Sequence, residues 1–310
     1  MGAALTFVAA LLSACSPVAL LNRTIPSGAY EPLRDIAYGP DPRQHLDVYL
    51  PAHAAGPTPI VVFFYGGNWN TGSRADYLFV GEALASRGIA TVMADYRLYP
   101  QVRFPQFLED SARAVRWTFD HAGEIHGDPD RVFLMGHSAG AYNAAMLALN
   151  ADYLTAAGVN ARRIRGLIGL AGPYDFLPLQ SDVTKGVFGY PDTSPETQPI
   201  RFVSKSAPPT LLVTGTSDRV VDPGNSVRLA AQLRTRGVEV REVVYAGRGH
   251  RAIVAALAAP LRWLAPVLDD VAEFVRTHER AANLQGEGAG ERGDSQRHIR
   301  PLNATARGAT

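Results

Sequence analysis

A serine stands between two glycines where the character of the chain changes. Residues 131–149 read RVFLMGHSAGAYNAAMLAL, an apolar run that breaks at Gly136 and continues as an alanine-rich stretch after Gly140. The motif alone could be an ordinary turn, but this order predicts a strand, a tight turn and a helix. Small neighbours leave the Ser138 hydroxyl accessible, and the free N–H groups of the helix start favour negative charge. The pattern predicts Ser138 as a nucleophile and the Ala139 N–H as an oxyanion donor.

Further oxyanion donors are expected after an earlier strand. The apolar run Pro59–Phe64 leads into Tyr65 and then into Gly-Gly-Asn-Trp at 66–69. Adjacent glycines at the end of a strand let the backbone turn so that successive N–H groups face inward, which stabilises an alkoxide. We therefore expect Gly67 and Asn68 to donate to the oxyanion.

An acid and a base follow later, each after a predicted strand. The strand Thr210–Thr214 ends in GTSDRVVDP, which contains both Asp218 and Asp222. The strand Val238–Tyr245 ends in AGRGH, which places His250 in a glycine-flanked loop. Asp222 precedes a proline and suits the role of a helix N-cap, so the spacing favours Asp218 as the acid and leaves Asp222 as its rival.

Alternating strands and helices must position these loops. Apolar runs of strand character occupy 45–50, 59–64, 89–94, 132–135, 164–170, 210–214 and 238–245. Helical spacing of apolar residues is found at 76–87, 107–122, 225–236 and 261–280, and after Ser138. Solid apolar runs separated by helices are typical of a parallel sheet covered on both faces. The sequence predicts one α/β domain with a mostly parallel, doubly wound sheet over 23–280, and a small lid in the irregular segment Phe176–Pro209.

These motifs together resemble the α/β-hydrolase superfamily, in particular carboxylesterases of the hormone-sensitive-lipase-like and feruloyl-esterase-like (BD-FAE-like) kind. The family's HGGG or HGGxW loop corresponds to 65–69, where Tyr65 replaces the usual histidine. DYRLYP at 95–100 is similar to the family's DYRLAP, and AGPYD at 171–175 to its SGxYD. GTSDRVV at 215–221 looks like its GxxDxxV acid loop, with the acid at Asp218.

The resemblance implies an α/β-hydrolase fold and a serine hydrolase of carboxylic esters. His250 would take the proton of Ser138 during attack, Asp218 would orient His250, and water would hydrolyse the acyl-enzyme. The short segment before the domain favours an open cleft and esters of small to medium acyl groups. Arylformamidase or peptidase chemistry with the same triad stays open, because the Gly-Gly-Asn-Trp loop is also similar to that of formamidases. A vestigial binding protein of this fold is the alternative from another class, and the intact triad argues against it.

Composition excludes several other classes. The chain has 30 Lys and Arg against 29 Asp and Glu, so nothing favours a nucleic-acid partner, and a small-molecule ester is expected. A single cysteine, Cys15, excludes an intrachain disulfide and a cysteine-based zinc cluster. The sequence has no metal-binding motif, dinucleotide fingerprint or P-loop, so no metal or other cofactor is implied.

The N-terminal residues resemble an export signal. The apolar run AALTFVAALL is too short to span a bilayer, and Leu-Ser-Ala-Cys at 12–15 resembles a bacterial lipobox. The resemblance implies lipidation of Cys15 and an exported lipoprotein tethered to a membrane surface, facing the periplasm or in the outer membrane. No Lys or Arg precedes the apolar run, and an ordinary cleaved signal is the alternative. We expect 1–22 to be signal and linker, and 281–310 to be a disordered tail.

Overall fold

The computed structural model describes residues 17–290, and an eight-stranded sheet forms the centre of this region. The strands are β1 Tyr30–Ala37, β2 His45–Pro51, β3 Thr58–Phe64, β4 Ala90–Ala94, β5 Gly127–His137, β6 Ile164–Leu170, β7 Thr210–Gly215 and β8 Val240–Tyr245. The α-helices of the described region are α1 Pro17–Arg23, α2 Leu78–Ala85, α3 Gln106–Asp120, α4 Ala139–Leu149, α5 Ala151–Ala156, α6 Asp182–Val187, α7 Gly224–Thr235, α8 His250–Ala255 and α9 Val267–Gly290.

The sheet is mostly parallel, as the sequence predicts. Its strand order is β1-β2-β4-β3-β5-β6-β7-β8, and β2 runs antiparallel to both of its neighbours. The other five pairings, from β4 to β8, are parallel. All seven residues of β3 and all five of β4 are buried, because helices cover both faces of the central strands.

The parallel strands bring the predicted site loops to one edge. The oxyanion loop follows β3, Ser138 follows β5, and the loops of Asp218 and His250 follow β7 and β8. Since these four strands point the same way, their carboxyl ends meet along one edge of the sheet. Residues far apart in sequence can therefore form one site there.

Several boundaries differ from the predicted ones for identifiable reasons. The helix predicted at 261–280 is divided into a 3₁₀ turn, Ala259–Leu264, and α9. Pro266 causes the break, because a residue before proline avoids the helical region, and Ala265 is extended with φ −167° and ψ 149°. The sequence did not predict β1, whose residues are all exposed or half-buried and lack an apolar pattern.

The two ends of the described region also differ from the predicted domain limits. The predicted linker ends in α1, where the Asn22 side chain donates a hydrogen bond to the Ala75 carbonyl at 2.9 Å. At the other end α9 continues to Gly290, beyond the predicted start of the tail at 281. Cys15 with the rest of 1–16, and 291–310, lie outside the described residues. Between 17 and 290 no helix is both long and apolar enough to cross a membrane.

The predicted lid packs closely on the domain. Phe176–Pro209 contains α6 and two 3₁₀ turns, Pro195–Thr197 and Pro199–Phe202. The Tyr142 hydroxyl on α4 donates to the Thr197 carbonyl at 2.7 Å. The excursion therefore lies against the helix that begins at Ser138.

Candidate active site

Ser138 occupies a strained turn between β5 and α4. Its φ of 55° and ψ of −122° are unusual for a residue with a side chain, and such conformations cost on the order of 1–3 kcal/mol. The Ser138 N–H donates to the Leu170 carbonyl of β6 at 2.9 Å, which anchors the turn to the sheet. The predicted strand, turn and helix are all present, with Ala139 as the first residue of α4.

The glycines of the motif are needed for close backbone packing. A Cβ at Gly136 would lie 2.2 Å from the carbonyl of Gly140. A Cβ at Gly140 would lie 2.0 Å from the carbonyl oxygen of Phe64 at the end of β3. Only hydrogen side chains let α4 begin this close to the sheet, and this close start places the Ser138 hydroxyl above its edge.

The structure brings Ser138, Asp218 and His250 together. His250 begins α8, and its Nε2 lies 2.9 Å from Ser138 Oγ. Its Nδ1 lies 2.8 Å from Asp218 Oδ2. The other oxygen of Asp218 accepts the N–H groups of Val220 and Val221, both at 2.9 Å. The carboxylate is therefore fixed by its own loop and oriented toward the histidine.

The surroundings of Asp218 keep it ionised. Burial alone would raise its pKa, but the hydrogen bond with His250 and those from the backbone of Val221 and Val220 outweigh burial and lower the pKa. An ionised Asp218 can only accept, so His250 carries its proton on Nδ1 and leaves Nε2 free to accept the proton of Ser138.

The rival acid Asp222 has other partners. Its Oδ1 accepts the Gly224 N–H at 3.0 Å at the start of α7, and its Oδ2 lies 3.3 Å from Arg228. Arg228 is also paired with Asp175, at 2.6 Å. Both aspartates thus contact groups near the start of α7 and the loop after β6, but the N-cap of α7 is Pro223, so Asp222 is a turn residue before the helix and not its N-cap.

The predicted oxyanion loop turns sharply beside the serine. Gly67, Asn68 and Trp69 have φ values of 138°, 56° and 59°, and the Gly67 carbonyl accepts the N–H of Thr71 at 3.0 Å. A Cβ at Gly67 would lie 2.1 Å from the Thr71 carbonyl oxygen, so glycine is required there. Within 17–290, the N–H groups of Gly67, Asn68 and Ala139 have no hydrogen-bond acceptor, so all three predicted donors are available.

Arg43 braces this loop, a role that no sequence motif indicates. Its guanidinium donates to the Tyr65 hydroxyl at 2.6 Å, the Gly72 carbonyl at 2.9 Å and the Tyr96 carbonyl at 3.0 Å. The Tyr96 hydroxyl in turn donates to the Tyr65 carbonyl at 2.8 Å. Arg43 therefore ties the two ends of the loop together, with Tyr65 in the position of the family's histidine. It lies in the turn between β1 and β2, and no local motif connects that turn with the loop.

An aromatic cluster, formed by Trp69, Tyr142, Phe176 and Phe188, lies next to the site. The Trp69 ring is 5.1 Å from Tyr142 and 4.9 Å from Phe188, in both cases edge to face, and 6.3 Å from Phe176. The Trp69 indole N–H donates to Asn143 Oδ1 at 3.0 Å. The cluster fastens the oxyanion loop to α4 and to the lid. In the described part of the chain, no group of three or more His, Cys, Asp or Glu side chains could hold a metal ion.

Comparisons with known proteins agree with this architecture. The BD-FAE family model matches residues 46–233. The chain is 31% identical over 252 residues to the isoprenylcysteine alpha-carbonyl methylesterase of Arabidopsis thaliana, which covers 74% of this chain and 58% of that protein. It is 30% identical over 174 residues to the kynurenine formamidase of Danio rerio, over 56% of this chain and 57% of that protein.

The fold is that of solved esterases. Esterase B from Lactobacillus rhamnosis superimposes with a TM-score of 0.74 at 20% identity, covering 91% of this chain and 96% of that one. The first curated relatives are longer proteins, since the matched region spans between 50% and 60% of their length.

The packing at Gly140 yields a stability prediction. Gly140→Ala should lower the free energy of unfolding by about 1–3 kcal/mol, because the added methyl group overlaps a backbone oxygen that cannot move independently. Gly123→Ala is the matched control, since a Cβ there meets no atom within 4 Å, and it should be neutral or slightly stabilising. Chemical denaturation of both variants measures the difference. Equal midpoints would show that α4 does not approach β3 as closely as described.

Proposed function

This chain belongs to the BD-FAE family of α/β-hydrolases, and from this membership we propose that it is a serine carboxylesterase. One observation carries the proposal: His250 lies within hydrogen-bond distance of both Ser138 and Asp218, at 2.9 and 2.8 Å. A nucleophile, a base and an orienting acid in this arrangement are what acyl transfer to serine requires.

The first half-reaction forms an acyl-enzyme. His250 Nε2 accepts the Ser138 proton while Ser138 Oγ attacks the ester carbonyl, and Asp218 stabilises the imidazolium. The carbonyl oxygen becomes an oxyanion, which accepts hydrogen bonds from the free N–H groups of Gly67, Asn68 and Ala139. His250 then returns the proton to the departing alcohol as the C–O bond breaks.

The second half-reaction repeats these steps with water. His250 takes a proton from water, the resulting hydroxide attacks the acyl carbon, and the same N–H groups stabilise the second oxyanion. The proton passes back to Ser138 Oγ as the acid product leaves. In this scheme His250 alone transfers the proton between Ser138, the alcohol and water, and the backbone N–H groups only donate hydrogen bonds.

We further propose substrates with small to medium acyl groups. Trp69 directly follows the oxyanion donors, and Tyr142 lies one helical turn after Ser138. Both side chains are buried in the aromatic cluster, which favours a shallow acyl site beside the serine. The similarity to a kynurenine formamidase supports a second candidate, hydrolysis of an aryl formamide by the same residues.

Location is a separate proposal that rests on the N-terminal sequence. Leu-Ser-Ala-Cys at 12–15 after an apolar run supports export and lipidation at Cys15. A lipid on Cys15 would tether the catalytic domain to a membrane surface, facing the periplasm or in the outer membrane.

The nucleophile is tested with p-nitrophenyl esters of increasing acyl length and with an N-formyl arylamine. The wild type should hydrolyse the short esters fastest, and Ser138→Ala should lose at least about a thousandfold in kcat. Ser86→Ala is the control, because Ser86 caps the end of α2 through the Ala83 carbonyl. Faster turnover of the formamide would favour the second candidate, and an active Ser138→Ala enzyme would exclude Ser138 as the nucleophile.

The acid is tested with a pair of aspartates in one loop. Asp218→Asn should lower kcat by about 10⁴-fold, because the amide can donate to His250 and select the wrong tautomer. Asp222→Asn should keep kcat within about threefold of wild type, since its carboxylate contacts Gly224 and Arg228. Steady-state kinetics of both variants measure the contrast, and a reversed order would assign the acid to Asp222.

The lipid anchor is tested by fractionating bacterial cells that express the full chain. The wild type should partition into the membrane fraction and incorporate labelled palmitate, whereas Cys15→Ser should do neither, because it lacks the thiol that accepts the lipid. If the Cys15→Ser protein incorporates no palmitate but still partitions into the membrane fraction, lipidation is not the anchor. Esterase activity of the detergent-extracted proteins should be equal.

A further inference from the structure

The histidine before the nucleophile is buried and has no part in the proton transfers described above. His137 is 4% exposed, and the centre of its ring lies 4.8 Å from that of His250. Its Nε2 is 3.4 Å from the His250 carbonyl oxygen, and its Nδ1 is 3.3 Å from the Tyr77 hydroxyl. The same hydroxyl accepts the Gly66 N–H at 3.3 Å. These contacts connect the oxyanion loop, the turn at Ser138 and His250.

The hydrogen-bonding groups allow only one assignment of protons. The His250 carbonyl can only accept, so Nε2 of His137 must carry the hydrogen. In a neutral ring Nδ1 then accepts, and the Tyr77 hydroxyl must donate to it. The Gly66 N–H can only donate, and the Tyr77 oxygen has a lone pair left for it. With this assignment each donor in the series faces an acceptor.

The charge state of His137 agrees with this assignment. Burial, reinforced by the neighbouring His250, lowers its pKa to about 3. The His137 ring is therefore neutral at every pH at which a serine esterase of this kind works. A charged His137 would place a second positive charge beside His250 at the moment His250 accepts the Ser138 proton.

We propose that His137 is a positioning residue that, as the neutral Nε2–H tautomer, couples the backbone of His250 to the oxyanion loop through Tyr77 and Gly66. The proposal rests on the serine carboxylesterase function. His137 Nε2 holds the carbonyl of the residue that moves the proton, and Tyr77 holds the peptide N–H immediately before Gly67. One buried ring thus sets the distance between the base and the donors that stabilise the oxyanion.

The coupling predicts a specific kinetic effect. His137 and Tyr77 support groups that act in the transition state, so their loss should lower kcat and leave KM nearly unchanged. A misplacement of reacting groups by about 1 Å can lower the rate a hundredfold. Partial loosening of His250 and the oxyanion loop should lower kcat about tenfold. Since both side chains belong to one series of hydrogen bonds, their effects should not multiply.

Three variants test this in the full chain. His137→Leu removes the donor, His137→Gln keeps an N–H near the position of Nε2, and Tyr77→Phe removes only a hydroxyl. We expect kcat to fall about tenfold in His137→Leu, to recover largely in His137→Gln, and to fall no further in the double variant Tyr77→Phe/His137→Leu. His121→Leu is the control, since His121 stacks on Trp117 at the end of α3, away from the turn at Ser138.

Active-site titration with a fluorophosphonate normalises each rate to folded enzyme. Wild-type kcat in His137→Leu, or a multiplicative loss in the double variant, would overturn the coupling while leaving the esterase function intact. If His137→Leu does not fold, Tyr77→Phe alone must show the loss in kcat at unchanged KM, or the proposal fails.

A spectroscopic measurement tests the proposal without any turnover. Nitrogen NMR of histidine-labelled protein should show His137 as a neutral Nε2–H tautomer that does not titrate from mildly acidic to alkaline pH. The Tyr77→Phe substitution should change the nitrogen chemical shift of His137 Nδ1. An Nδ1–H tautomer, or titration near neutral pH, would overturn the proposal. A wild-type protein that neither hydrolyses esters nor reacts with the fluorophosphonate would reject the esterase function instead.

Discussion

The approach of α4 to the backbone of β3 is the constraint on which the site depends. The helix can begin only where a residue without a side chain faces the strand, and Gly140 meets the Phe64 carbonyl there. This contact fixes the direction of α4, and the chain must enter the helix through the positive-φ conformation of Ser138. The strain at Ser138 is of order 1–3 kcal/mol, small beside the burial of the apolar faces of β3, β5 and α4 that maintains it.

The same approach requires the neighbouring loop to fold tightly. The Cα of Gly66 lies so near the turn at Ser138 that a Cβ added to Gly66 would be 2.9 Å from the Cβ of Ser138. Three successive residues with positive φ then turn the chain away, and such a turn is unstable unless its ends are held. Arg43 holds them through Tyr65 and Gly72. Arg74 holds the following turn through ion pairs with Asp47 at 2.9 Å and with Asp95.

The sequence predicts the parts of this site that depend on local order. Ser138 and the donors at 67 and 68 follow closely after strands, and the turns there require the neighbouring glycines. The motif and its flanking residues are therefore enough to predict these parts of the site. Asp218 could be preferred as the acid because it fits the spacing after β7, whereas Asp222 precedes a proline. The central strands contain solid apolar runs, and their limits agree closely with the predicted ones except for β5, which begins at Gly127 and not at Val132.

The contacts that organise the site from a distance could not be predicted in this way. Arg43 reaches Tyr65 from a turn between edge strands, and β1 has no burial pattern that would reveal it. The break before α9 follows from Pro266, but the sequence does not show that the helix resumes immediately. For Arg43 and β1 the deciding partner is remote in the chain and is specified by the three-dimensional packing, whereas the break before α9 has a local cause.

Two buried groups flank His250, one an anion and the other neutral, and this asymmetry favours the direction of proton transfer that the proposed mechanism requires. Asp218 is stabilised as an anion by its hydrogen bonds with His250 and with backbone N–H groups, which outweigh its burial, whereas burial keeps His137 neutral. A positive charge on the His250 ring is therefore attracted from the Nδ1 side and meets no opposing cation at His137. Because Nδ1 is committed to Asp218 Oδ2, the free lone pair lies on Nε2 and faces Ser138. In the proposed mechanism, the charges that the fold fixes at Asp218 and His137 thus orient His250 to accept the proton of Ser138 on Nε2.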